Sequence, residues 1–187
     1  MTPDALLERL ACYEPMSVPG QGYTRSAVLV PFRRRSVSDL EIVLTRRTEE
    51  LEAHAGQVAF PGGRVEPEDD SPEQTAIREA SEELGVPQAA FTALGRLDEM
   101  VTITRYHVVP VVGLVSPDVA FLPSEHEVAR VFELPTSVLL DPEKWEKRRH
   151  LYRGHEVWLW HLPYDNEDIW GVTAMILRGM TEWLWRA

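Results

Sequence analysis

Residues 71–85 read SPEQTAIREASEELG, and they leave little choice of local structure. Ser71 is a good N-cap, Pro72 suits the first helical position, and Gln74 stands three residues after the cap. Gly85 is a natural C-terminal stop. The spacing predicts a helix running to about Leu84. On a helix, residues at i, i+3 and i+4 share a face, so Glu79, Glu82 and Glu83 come together. Like charges at that spacing cost a helix about 0.2–0.5 kcal/mol per pair. Arg78 can pair with Glu82 one turn on, but one arginine does not neutralise three acids. Grouped hard oxygen donors suit Mg²⁺ or Mn²⁺. The plainer alternative is a solvated acidic face.

The segments around this helix read as a mixed fold. Residues 4–13 place Leu6, Leu7, Leu10 and Ala11 at helical spacing. EPMSVPGQG follows as an arm, so residues 1–23 are expected to form an N-terminal helix and arm before a domain over 24–187. Strands are expected at 26–32 and 40–47, joined by a hairpin loop RRSVSD, and a short one in QVAFPGG (57–63). Two more are expected between Phe91 and Val115, meeting near TITRYH. VARVFELP (128–135) reads as a strand and PTSVLLDP as a short helix. RHLYRG and HEVWLWHLP read as strands around a glycine turn, with Trp158 and Trp160 structural. Residues 169–186 read as a long helix. Strands with interspersed helices imply one α/β sandwich.

Composition narrows the function classes. The one cysteine, Cys12, excludes an intramolecular disulfide framework or a cysteine zinc cluster. The start carries no secretory signal, and no apolar run approaches the ~20 residues of a membrane span. A cytoplasmic protein with no membrane partner is expected. The formal net charge of −11 repels polyphosphate backbones, so no nucleic-acid partner is expected. Clustered cations remain, Arg33–Arg34–Arg35 and Arg46–Arg47, and they could grip one small anion.

FPGG (60–63), an acidic loop and the helix follow in order. Glycines let backbone approach a ligand closely. Gly63 to Val86 resembles the Nudix box, G-x5-E-x7-R-E-U-x-E-E-x-G-U with U aliphatic. Arg78, Glu79, Glu82, Glu83, Gly85 and Val86 match, and Ala80 fills the first U. Counting on from Gly63 puts Asp69 at the first acid, and counting back from Arg78 puts Asp70 there. The helix register favours Asp70. The resemblance implies a Nudix-type α/β/α sandwich with a mixed β-sheet and a catalytic loop–helix–loop. It implies a hydrolase that cuts a phosphoanhydride in a nucleoside diphosphate derivative, a small-molecule substrate, using Mg²⁺ or Mn²⁺. Glu79, Glu82 and Glu83 would be metal ligands, with the Gly62 carbonyl a further one. Arg78 would orient a carboxylate. The general base is Glu82, or Glu125 or Glu127 outside the box.

The flanks point to a substrate. LTRRTEELEAHAGQVAFPGG (44–63) resembles the segment before the box in coenzyme A pyrophosphatase-type Nudix proteins. Leu44, Thr45, Arg47, Gly56, Phe60, Pro61, Gly62 and Gly63 fit that pattern. Glu52 replaces an arginine of it, and Arg46, His54 or Arg25 could compensate. This resemblance implies cleavage of coenzyme A or a derivative to 3′,5′-ADP and 4′-phosphopantetheine. Arg46, Arg47, His54, Gly62 and Gly63 would bind substrate. Other readings are the same chemistry on ADP-ribose, a dinucleotide or an oxidised nucleoside triphosphate, or a nucleotide-binding module without turnover.

Overall fold

The computed structural model describes residues 2–36, 39–50 and 54–185. Helix α1 (Pro3–Ala11) precedes strands β1 (Thr24–Ser36), β2 (Asp39–Arg47), β3 (Val58–Ala59) and β4 (Gly62–Arg64). Helix α2 (Pro72–Leu84) comes next, followed by β5 (Phe91–Arg96), β6 (Met100–Val101), β7 (Tyr106–Val115) and β8 (Val128–Pro135). Helix α3 (Thr136–Leu139), β9 (Glu146–Tyr152), β10 (His155–Tyr164), β11 (Glu167–Ile169) and α4 (Gly171–Trp185) complete the order.

The main sheet is built on a parallel pair. β1 and β7 run side by side in register from Thr24↔Tyr106 to Arg33↔Val115. The other edge of β1 is shared: β4 takes Ser26 to Val28, and β2 takes Phe32 to Ser36, both antiparallel. β2 pairs onward with β8 and β3, and β7 with β5 and β6. β9, β10 and β11 form a second, antiparallel sheet.

Side chains alternate across a strand, so the sheet has two apolar faces. On one, Ala27, Leu29, Val43 and Val111 meet Ala76, Ala80 and Leu84 of α2. On the other, Val30, Phe32, Ile42 and Leu44 pack with α4 through Ala174, Leu177 and Met180. Leu6 and Leu10 of α1, and Leu162 and Ile169 of the second sheet, join that side. The result is the expected mixed α/β sandwich, with α2 and α4 on opposite faces. None of the described helices is long and apolar enough to cross a membrane.

The long elements lie where the sequence places them. The short pairings β3, β4 and β11, two or three residues each, exist because a sheet edge receives them, not through any pattern of their own. The expected hairpin loop is shorter than RRSVSD, since β1 continues to Ser36; residues 37 and 38 lie outside the described residues. Trp160 packs against the core as expected of a structural residue, but Trp158 is 62% exposed, two residues nearer the hairpin tip.

Both ends of α2 are capped as the sequence requires. The Ser71 side chain accepts from the Gln74 N–H at 3.2 Å. Gly85 is left-handed, with φ 65°, and its N–H donates to the Ser81 carbonyl. The loop before β8 docks on this end of the helix. Leu122 N–H donates to Leu84 O at 2.9 Å, and Ser124 N–H to Glu83 O at 3.1 Å. A Cβ on Gly85 would stand 1.8 Å from the Leu122 carbonyl oxygen. Arg33 pins the start of the same loop, donating to Pro117 O at 2.6 Å and Val119 O at 2.8 Å. Gly85→Ala therefore combines a left-handed strain with a backbone clash. It is expected to cost about 2 kcal/mol or more in denaturant unfolding.

Candidate active site

The site grows from the contact between the β4–α2 loop and α2. Arg78 reaches back along the helix and closes that loop. Its Nε and Nη2 donate to Asp69 at 3.1 and 2.9 Å, and Nη2 also donates to Arg64 O at 3.1 Å. Nη1 donates to Glu79 Oε1 at 2.9 Å. Glu82, the partner expected one turn on, is farther at 3.6 Å. Arg78 thus orients a carboxylate through an ion pair, and that carboxylate is Glu79.

Of the two loop acids, Asp69 rather than Asp70 pairs with Arg78. Its side chain is 2% exposed and also accepts from the Thr75 hydroxyl and the Glu66 N–H, both at 2.9 Å. Hydrogen bonds from Arg78 hold its carboxyl well below the usual carboxylate range. Asp70 is exposed, and its N–H donates to Gln74 Oε1 at 2.8 Å. The register count favours Asp70, but α2 begins at Pro72, so a helical spacing does not extend back through Asp70.

Gly63 explains the glycine pair. An added Cβ there would fall 2.3 Å from the carboxyl carbon of Glu79. The missing side chain is the space in which the Glu79 carboxyl group lies.

The three box acids share one helix but not one environment. Glu83 belongs to the buried stripe of α2. Burial pushes its carboxyl up to about 8, with Arg47 pulling it down and Glu127 and Glu79 adding repulsion. The Gly62 N–H also favours its charged form. Burial raises Glu79 as well; Arg78 opposes this, while Glu82 and Glu127 add to it. Glu82 is 62% exposed. Glu127 reaches the site because its loop is stitched to the end of β2: Thr48 N–H donates to Glu127 O, and the Thr48 hydroxyl to His126 O, both at 3.0 Å. Its charge acts on both Glu79 and Glu83. Of the two loop candidates, Glu127 is the one whose charge is felt at these acids.

The expected substrate residues divide. Arg47 faces Glu83, and its Nε is buried without a hydrogen-bond partner. Arg46, one residue earlier, turns to the other side of the sheet, where it meets Glu49 at 3.1 Å and Glu167 at 3.9 Å. Strand alternation separates two arginines that adjacency in sequence suggested as one clamp. His54 is exposed and lies 2.9 Å from Gln57 Oε1. Glu52 lies outside the described residues.

These residues fit a hard divalent cation. The donors are carboxylate oxygens, and the charge of Glu79 adds to the cost of ionising the buried Glu83. Among the described residues no three acidic, histidine or cysteine side chains already close into a metal cage. Glu82 stays with solvent and Arg78.

Comparison with known proteins follows the same lines. The NUDIX domain family matches residues 22–158. A relative from Yersinia pestis (strain Pestoides F), an uncharacterized Nudix hydrolase called NudL, is 41% identical over 161 residues. The match covers 84% of this chain and 78% of the relative. In structure, the NUDIX domain of Shewanella oneidensis NrtR complexed with ADP ribose aligns with a TM-score of 0.54 at 20% identity, over 97% of this chain and 98% of that one. A protein from Deinococcus radiodurans also aligns at 0.54, with 16% identity, over 83% and 81%. These two likenesses concern the fold.

Two stability measurements test this geometry. Asp69→Asn leaves Arg78 half-paired at a buried site and is expected to cost about 3 kcal/mol in urea unfolding, while Asp70→Asn changes stability by less than about 0.5 kcal/mol. Because the Asp69 pKa is depressed, its contribution is complete above the unfolded value of about 4 and fades as pH falls below it. The gap between wild type and Asp69→Asn should therefore narrow in acid. Glu83 has the opposite sign. Its pKa is raised, so wild-type stability drops as pH climbs from the unfolded value toward about 8. In chelator at pH 9, Glu83→Gln should melt above wild type.

Proposed function

The chain belongs to the Nudix family and is a hydrolase of a nucleoside diphosphate derivative, and from that premise we propose that its substrate is coenzyme A or a coenzyme A derivative. Water would cleave the diphosphate to give 3′,5′-ADP and 4′-phosphopantetheine or its derivative. The observation that carries this reading is a shared surface. Three residues of the coenzyme A-type pattern meet the acidic helix: Arg47 and the Gly62 N–H act on Glu83, and Gly63 makes room for Glu79.

Mg²⁺ or Mn²⁺, held by Glu79, Glu82 and Glu83 with the Gly62 carbonyl as a further donor, would neutralise diphosphate charge and acidify a water. The remaining work falls to the chain. Hydrolysis of an anhydride is mostly positioning and electrostatics. Arg78 keeps the Glu79 carboxylate aimed at the substrate side of α2, and Asp69 keeps Arg78 from moving. Arg47 lowers the cost of charging Glu83. Glu127, carried by the loop docked on α2, takes the proton of the attacking water as its oxygen bonds to phosphorus and the anhydride bond breaks; Glu82 is the other base within the box. Of the expected substrate cations, Arg47 is the one that acts on this surface, while Arg46 turns to the other side of the sheet.

A substrate panel with Mg²⁺ and Mn²⁺, products identified by mass, checks the proposal. Coenzyme A should be turned over with kcat/KM at least about tenfold above ADP-ribose. Equal or better turnover of ADP-ribose would sink the coenzyme A reading, and tight nucleotide binding with no turnover would make the chain a sensor. Glu79→Gln and Glu83→Gln should each lower turnover about 100-fold or more, with folded content unchanged.

A further inference from the structure

Glu127 hangs from a tight turn rather than from a strand. Ser124 O accepts the Glu127 N–H at 3.0 Å and the Val128 N–H at 2.8 Å, and strand β8 begins only at Val128. The turn is fastened on two sides. On one, Ser124 N–H donates to Glu83 O at 3.1 Å, at the end of α2. On the other, Thr48 N–H donates to Glu127 O, and the Thr48 hydroxyl to His126 O, both at 3.0 Å. The main chain of the base is thus spaced from Glu83 through Ser124, and from the end of β2 through Thr48.

The pairing of β2 with β8 is what lets Thr48 do this. Arg46 faces Arg130, but Arg47 faces Val128, so β8 carries one extra residue, Ala129, at this point. Had the first register run on, Thr48 would face Val128; with the extra residue it meets Glu127. Such bulges re-aim the chain beside active sites. Thr48 O also accepts the Gly56 N–H at 3.3 Å, which closes the 47–57 segment on the same residue. Of these contacts only the Thr48 hydroxyl bond involves a side chain. The rest join backbone to backbone and do not depend on which residue stands at position 48.

Resting on the hydrolase reading with Glu127 as base, and not on which nucleotide is cleaved, we propose that Thr48 is a positioning residue. Its hydroxyl holds the His126–Glu127 peptide so that the Glu127 carboxylate stays directed at the acids of α2. A base must stand within hydrogen-bond reach of the water it deprotonates. A displacement of about 1 Å in such a group costs up to about 100-fold in rate. In this role Thr48 acts through Glu127 alone.

Thr48→Val removes the hydroxyl and keeps the shape. With coenzyme A, or with ADP-ribose should the panel favour it, this substitution should lower kcat about tenfold and leave KM within about twofold. Thr48→Ser should recover most of the loss. In a Glu127→Gln background Thr48→Val should cost nothing further, because the group it positions is gone. Native-state hydrogen exchange on the metal-free protein reads the same fastening without turnover. Thr48→Val should speed exchange of the amides at positions 48 and 127 about tenfold and leave those of α2 unchanged. If Glu127→Gln loses turnover while Thr48→Val keeps wild-type kcat, the role of Thr48 alone is overturned. The same follows from a fall in kcat that Thr48→Ser does not restore, that adds in full to Glu127→Gln, or that comes with unchanged exchange. Undiminished turnover by Glu127→Gln, or no turnover of any nucleotide in the panel, would overturn the base and the role of Thr48 with it.

Discussion

The arrangement around Arg78 is what the active surface depends on. One planar guanidinium satisfies Asp69, the Arg64 carbonyl and Glu79 together. Lysine could not do this, because a point charge has no fork with which to hold two carboxylates and a carbonyl in fixed directions. The loop it closes begins in β4, which is anchored on β1, and the helix it closes against packs on the same strand. Sheet, loop and helix therefore meet at one side chain. Glu79 inherits its direction from that meeting rather than from the helix alone.

The acids show the tension between folding and function in a single element. Apolar side chains at 76, 80 and 84 give α2 its reason to sit on the sheet. Glu83 lies in the same buried stripe, where a leucine would stabilise the protein more. Arg47 offsets part of that cost from the neighbouring strand, and its own Nε remains buried and unbonded. Such uncompensated polar groups are expected where a site must bind charge rather than only pack.

Much of this was readable from residue order, and the failures have local causes. The limits of α2 follow from Ser71, Pro72 and Gly85, whose preferences act within a few residues and need no tertiary context. The shared face of Glu79, Glu82 and Glu83 follows from the helical period. What the period cannot tell is depth: Glu83 is buried and Glu82 is not, because depth depends on where the sheet lies. Asp69 was reachable by counting forward from Gly63, since the loop, not the helix, sets its position. Arg46 and Arg47 were misjudged as a pair although alternation within a strand separates neighbours. Glu127 could be favoured over Glu125 only after the loop's bonds to Thr48 and to the end of α2 were known.

The parallel partnership of β1 and β7 has a consequence for how the protein comes into being. Strand residues 24–33 find their mates only at 106–115, so the loop to be closed contains nearly everything that makes the site: the FPGG turn, Arg78 and all three helix acids. A growing chain can shape α2 early from local preferences. It cannot complete the sheet beneath that helix until the residues of β7 have been synthesised. Pairings across such long separations form late and slowly. Until then β1 lacks its parallel partner, and the sheet on which the acidic helix rests is incomplete. The helix can gather its acids early, but the finished sheet that carries them waits on a late step, when the two central strands close.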